Sequence, residues 1–200
     1  MPNLKDLAYL YAMKIDYYTP FYNDQYYHIY NRGNSSEKIF YEPENYYFFL
    51  KRLGEYLTNC VEIFAYCLLP NHFHLLIKVT DKNLMGEQFR LMFLSYSKAI
   101  NKQRERTGSL FQKRFKRTII ESIPSLCRTV VYIHTNPVHH KIANDFENYM
   151  YSSFQSLLSD KETKLNREEI LKWFGGRDNF LKLHKERIEL LGSENFFVEN

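Results

Sequence analysis

Two apolar runs meet at Pro70-Asn71, and the second carries two histidines one residue apart. Ile63 to Leu69 is almost continuously apolar, as a strand buried on both faces must be. Pro70-Asn71 turns the chain into His72-Phe73-His74-Leu75-Leu76-Ile77-Lys78-Val79, which reads as the adjoining strand. Strand side chains alternate between faces. Phe73, Leu75, Ile77 and Val79 therefore line one buried face, and His72, His74, Leu76 and Lys78 share the other. Two imidazoles side by side on a rigid strand are well placed to share one divalent metal.

The remaining elements follow from periodicity and punctuation. Tyr26-Tyr27-His28-Ile29-Tyr30 is a first strand, closed by the turn signal Asn31-Arg32-Gly33-Asn34. A helix opens at Pro43 and runs to about residue 58, with Tyr47, Leu50, Leu53 and Leu57 as its apolar stripe. A long helix carries Met85, Phe89, Met92, Phe93, Tyr96 and Ile100 and ends at Thr107-Gly108. Ser109 to Ile120 reads as a further strand rich in Arg and Lys. The order strand, helix, strand, strand, helix, strand predicts an α+β fold. It is the ferredoxin-like split βαββαβ pattern, an antiparallel sheet with both helices on one face.

A C-terminal helix is predicted from Pro124 to Thr135, with Ser122 as N-cap and Pro137 as the stop. Leu126, Cys127, Val130 and Ile133 form its buried stripe. Arg128, Thr129, Tyr132, Thr135 and Asn136 form the opposite, polar stripe, on which Tyr132 is the single aromatic. Tyr132 and Asn136 lie one turn apart on that stripe. Asn166 to Leu191 reads as helical, interrupted at Gly175-Gly176 and anchored by Trp173 and Phe174. The expected organisation is an N-terminal extension at 1–24, a main domain at 25–154 and a helical tail at 155–200.

Two hundred residues suit one domain with a small appendage. No window has the apolar length of a membrane span, and the N-terminus lacks a secretory pattern. Cys60, Cys67 and Cys127 are odd in number and show no metal-type spacing, so a reducing cytoplasm is expected. Net charge is +4, and its distribution says more than its size. Lys98, Lys102, Arg104, Arg106, Lys113, Arg114, Lys116 and Arg117 stand against Glu105 alone, a stripe that attracts phosphates. Tyr and Phe, at 17 and 16 copies, supply rings for base stacking, although most must be core.

A tyrosine hydroxyl is a poor nucleophile near neutral pH. It attacks phosphorus when a metal polarises the phosphate and holds it in line. Two neutral histidines and one amide oxygen leave coordination positions open for phosphate and water, and Asn136 could supply that oxygen. The resulting phosphotyrosine ester keeps the energy of the broken phosphodiester for rejoining, which suits strand transfer better than hydrolysis.

At these residues the chain resembles the HUH endonucleases. His72-Phe73-His74 is similar to their histidine–bulky–histidine signature. Tyr132-Ile133-His134-Thr135-Asn136-Pro137-Val138 resembles the tyrosine helix of their single-tyrosine transposases. The branch most resembled is the REP-associated tyrosine transposases, related to insertion-sequence-200-like transposases. Tyr27-His28-Ile29-Tyr30-Asn31-Arg32-Gly33-Asn34, Gly108-Ser109-Leu110-Phe111-Gln112-Lys113-Arg114-Phe115 and Tyr151-Ser152-Ser153 match it as well. The resemblance implies cleavage of single-stranded DNA near a hairpin, with the tyrosine joined to the 5′-phosphate. It implies Tyr132 as nucleophile, His72, His74 and Asn136 as ligands, and a divalent metal, Mg or Mn. Arg32, Lys113, Arg114, Lys116, Arg117 and Arg128 are the DNA-contact candidates, with solvated charge as the alternative. No membrane partner is expected, and a homodimer is left open. Where the branch often carries Arg-Ala after Asn-Pro-Val, this chain has His139-His140.

Plainer readings compete. A histidine pair on a strand can be structural, Tyr132 can be packing, and Asn136-Pro137 can be a helix stop. His28 reads as a satisfied core histidine more readily than as one facing the side of the metal pair, and His134, His139 and His140 read as phosphate contacts or equally as surface residues. A non-catalytic single-strand-binding module of the same fold would leave the histidine pair idle, and no strand shows the basic-glycine-aromatic pattern of RRM domains. A two-histidine phosphoesterase needs histidine–x–Ser/Thr elements, which this chain lacks. A domesticated transposase would keep the same residues.

Overall fold

The turn at Pro70-Asn71 joins the two central predicted strands as a hairpin, and the Pro70 carbonyl accepts from the backbone N–H groups of Ile39 and Phe40. The computed structural model describes residues 19–112 and 114–193. Its strands are β1 (Tyr26–Arg32), β2 (Val61–Leu69), β3 (His72–Val79) and β4 (Lys116–Ile120). Its helices are α1 (Pro43–Leu57), α2 (Lys82–Gln103), α3 (Ile123–His139), α4 (Phe154–Leu158), α5 (Arg167–Phe174) and α6 (Arg177–Ser193). The sheet order is β2-β3-β1-β4, antiparallel throughout, which is the split βαββαβ arrangement expected from the element order.

Sheet parity divides the molecule into two apolar layers. Tyr27, Ile29, Phe73, Leu75, Ile77 and Val79 face α1 and α2 and pack on Phe49, Leu53, Phe89, Met92 and Tyr96. On the other face Ala65, Cys67, Leu69, Leu76 and Ile120 meet Leu126, Val130 and Ile133 of α3. β2 serves both layers through an irregularity between Ile63 and Ala65, where one extra residue reverses the parity of the strand. The free side of β2 is covered by Tyr151–Ser153, through Leu68 N–H to the Tyr151 carbonyl and Ser153 N–H to the Tyr66 carbonyl.

Three predicted boundaries move. The strand expected over 109–120 begins only at Lys116. Leu110 and Phe111 are neighbours in sequence and are both buried in the α1–α2 layer, which strand alternation forbids. Phe111 makes only an isolated bridge to Gly33. The long helix stops at Gln103, short of Thr107-Gly108. The helix expected to stop before Pro137 instead runs through it to His139. A proline this close to the C-terminus removes only one late hydrogen bond, and His140 N–H closes the end on the Asn136 and Val138 carbonyls. Ser122 is the N-cap, as expected, and its Oγ accepts from Ser125 N–H.

The polar stripe of α3 does not face water. Thr129, Thr135 and Asn136 are buried, and the Tyr132 ring of the same stripe turns to the sheet, edge-on to His28 and His74, while α6 reaches the helix at His134. Trp173 of α5 stacks on Phe64, and the Tyr26 hydroxyl donates to Glu169 at 2.6 Å. His134, expected at the surface, is fully buried, and one polar relay satisfies it. The Phe180 carbonyl accepts from His184 Nδ1, so His184 Nε2 is the acceptor for His134 Nδ1–H at 2.9 Å. His134 Nε2 then accepts from the Ser153 hydroxyl at 2.8 Å. Most of the N-terminal extension, residues 1–18, lies outside the described residues. Among those described, no helix is long and apolar enough to cross a membrane.

Candidate active site

The register sets His72 opposite Arg32 and His74 opposite Tyr30 across β3 and β1, with Lys116 of β4 opposite Tyr30 on its other side. His28, Tyr30, Arg32, His72, His74 and Lys116 therefore share the face that α3 covers. The lower part of that face is apolar and filled by α3, and the upper part carries the polar groups. An RRM-like module needs this face open for bases, and here α3 occupies much of it.

His72 and His74 lie on the same side, as strand alternation predicted, with ring centroids 5.2 Å apart and planes nearly perpendicular. They are 6% and 4% exposed. Burial, with His140 and Arg32 nearby, holds the His72 pKa down to about 3, and burial beside His28 and His72 holds that of His74 well below the usual imidazole range. Both rings are thus neutral at physiological pH, the state in which imidazole binds metal.

The hydrogen bonds fix where the lone pairs point. Asn71 Nδ2 donates to the Ser36 carbonyl, which turns its Oδ1 to His72 Nδ1 at 2.6 Å. His72 Nδ1 is then the protonated nitrogen, and His72 Nε2 is bare. Asn136 Nδ2 donates to the Tyr132 carbonyl at 2.8 Å, which leaves its Oδ1 as the other end of the amide. His72 Nε2, His74 Nε2 and Asn136 Oδ1 are all buried, and each lacks a hydrogen-bond partner among the described residues. A buried acceptor without a donor is costly, about 1–3 kcal/mol each. Three such atoms on the three expected ligands make a donor set of two nitrogens and one oxygen, which suits a divalent cation. Among the described residues no group of three or more His, Cys, Asp or Glu could hold a metal, and the Asn136 amide oxygen is the third candidate atom here.

Tyr132 stands beside this set. Its ring meets those of His74 and His28 edge-on, at 5.5 and 5.9 Å between centroids. Arg128 lies one turn before it on α3, its guanidinium donating to Ser125 Oγ at 3.0 Å. His140, at the end of α3, has its ring 4.7 Å from that of His72, in contact with the site rather than on remote surface.

The basic stripe divides. Arg32 and Lys116 are on the site face, and the Lys116 ammonium sits 5.4 Å over the Tyr30 ring. Arg117 is on the opposite face, 4.4 Å over the Phe21 ring, because neighbouring strand residues point apart. Arg114 is exposed, and Lys113 lies outside the described residues. Arg104 and Arg106 are paired with Glu42 and Glu37, which sequence order could not reveal. Two partners of the candidate ligands were also missed, Asn71 and His28. Asn71 adjoins His72 in sequence, whereas the approach of His28 to His74 depends on the β1–β3 register.

The family model described as Transposase IS200 like matches residues 21–136, which span β1 through Asn136 and include every candidate ligand and Tyr132. A Haemophilus influenzae protein described as a REP-associated tyrosine transposase is 28% identical over 131 residues, covering 60% of this chain and 71% of that one. A solved structure of a REP-associated tyrosine transposase bound to a REP hairpin superposes with a TM-score of 0.60 at 19% identity, covering 72% of this chain and 85% of the other.

Proposed function

This chain belongs to the IS200-like transposase family, and from that premise we propose that it cuts and rejoins single-stranded DNA beside a hairpin through a covalent phosphotyrosine link. The observation that carries the reading is that His72 Nε2, His74 Nε2 and Asn136 Oδ1 are all buried without partners among the described residues, with the Tyr132 ring against that of His74. A divalent cation held by them, Mg or Mn, would supply the positive charge that polarises the scissile phosphate.

The protein's own groups do the rest. Tyr132 Oη attacks phosphorus, the bond to the 3′-oxygen breaks, and a 5′-phosphotyrosine ester forms. The phenolic proton leaves to solvent, and the departing 3′-oxygen takes one up. Attack by a 3′-hydroxyl on the ester reverses the step and rejoins a strand. Arg32 and Lys116 contact backbone phosphates on the site face, and Arg128 serves beside Tyr132. Residues 25–154 form the catalytic unit, and the tail from 155 buttresses the tyrosine helix. A hairpin-forming palindrome as target is supported by the likeness to the REP-associated relative and to the hairpin-bound structure. The working compartment in this reading is the cytoplasm.

The test is incubation of the full chain with labelled, hairpin-flanked single strands and Mg²⁺ or Mn²⁺, followed by denaturing electrophoresis. A protein–DNA adduct is expected with wild type and none with Tyr132→Phe, which should still bind metal. An adduct that survives in Tyr132→Phe would move the nucleophile elsewhere, with Tyr149 and Tyr151 next to be tried. No adduct from wild type on any hairpin-flanked strand would favour a binding module.

A further inference from the structure

His28 is 6% exposed, and its Nε2 lies 3.0 Å from His74 Nδ1, with the two rings nearly parallel. We propose that His28 is a positioning residue, whose Nε2 accepts the Nδ1 proton of His74 and thereby keeps His74 Nε2 bare toward the cation. The inference rests on the reading that His72 and His74 bind a divalent ion.

A neutral imidazole carries one N–H, on either nitrogen. If His74 held its proton on Nε2, the atom facing the site would be a donor and could not ligate. The hydrogen bond at Nδ1 decides between the two forms. His72 is already decided by Asn71, whose amide is oriented by Ser36. Asn136 is decided by the Tyr132 carbonyl. For His74 it is His28, among the described residues, that stands in place to do the same.

Histidine suits this position better than a carboxylate. The site must receive a polyanion, and a buried carboxylate behind the ligand would repel it. Packing alone would account for its ring contacts with Tyr30 and Tyr132, but not for a 3.0 Å nitrogen–nitrogen approach.

The experiment compares wild type, His28→Phe and His28→Gln in the full chain. Phe fills the ring volume without an acceptor, and Gln restores an acceptor. Mn²⁺ affinity is read from the paramagnetic resonance signal of the free ion, with circular dichroism to verify folding. His28→Phe should bind Mn²⁺ about 10–100-fold more weakly, and His28→Gln should recover most of that loss. Nitrogen-15 shifts of the His74 ring in the Zn²⁺-loaded wild type should report a proton on Nδ1, a readout that needs no variant. Wild-type affinity in His28→Phe, equal losses in both variants, or a proton on Nε2 of His74 in the loaded protein would overturn the assignment. Absence of Mn²⁺ binding by folded wild type would instead bring down the metal reading itself, and this inference with it.

Discussion

Replacing His72 with leucine should leave the metal-free protein at least as stable as wild type while abolishing its response to metal. The ring is 6% exposed and its Nε2 has no partner among the described residues. An unpaired buried polar atom costs about 1–3 kcal/mol, and leucine removes that cost. The substitution also removes the 2.6 Å bond to Asn71, but Asn71 is half-exposed and can turn to water, so the loss is about 1 kcal/mol. The balance is between no change and about 2 kcal/mol of stabilisation. Mn²⁺ at about a hundred times its dissociation constant should stabilise wild type by about 2.7 kcal/mol. For a chain of this size that raises Tm by roughly 5–10 °C, and His72→Leu should show no rise. Thermal unfolding with Mn²⁺ and with EDTA measures both quantities. A metal-free variant more than about 2 kcal/mol weaker than wild type would mark His72 as a satisfied core residue. A Tm rise that persists in the variant would exclude His72 as a ligand.

Salt dependence should separate the basic residues by face. Lys116→Ala and Arg32→Ala should each make the log–log salt slope of single-strand binding shallower by about 0.7 for every phosphate no longer neutralised, and Arg117→Ala should not. Filter binding across a salt series measures the three slopes, and equal slopes for all three variants would refute the division by face. Acid should weaken the clamp of the tail on α3. Burial lowers the His184 pKa to about 4, so above about 6.5 neither state is charged, while below it the unfolded chain takes up a proton that the folded one refuses. Stability should fall by about 1.4 kcal/mol per pH unit from this residue between those limits. Urea unfolding of His184→Phe should give a shallower acid limb from a lower starting stability, and an unchanged limb would refute the assignment. Gly33→Ala should destabilise by about 1–3 kcal/mol, since a Cβ there would lie 2.0 Å from the Glu37 carbonyl oxygen and the turn that follows β1 would have to shift. A denaturation midpoint equal to wild type would contradict that reading.

Local pattern fixed which elements form, because hydrophobic period and turn residues act over a few neighbours. Parity along His72–Val79 alone placed both histidines on one face and Phe73, Leu75 and Ile77 on the other, and the element order alone led to the split βαββαβ sheet. The same parity could have divided Lys116 from Arg117, once the strand was known to start at Lys116. Strand register, and the chain packed over a helix, are long-range properties that no local pattern carries. Only the tertiary structure set His28 against His74, since that contact needs β1 and β3 aligned to the residue. Only the docking of α3 on the sheet set Tyr132 of its polar stripe against His28 and His74, and only the docking of α6 gave His134 its relay. Only the tertiary structure buried His72, His74 and Asn136, engaged the second polar atom of each elsewhere, and left His72 Nε2, His74 Nε2 and Asn136 Oδ1 without partners among the described residues. The types of side chain were in the sequence, but the direction of a lone pair is decided by what its other neighbours take.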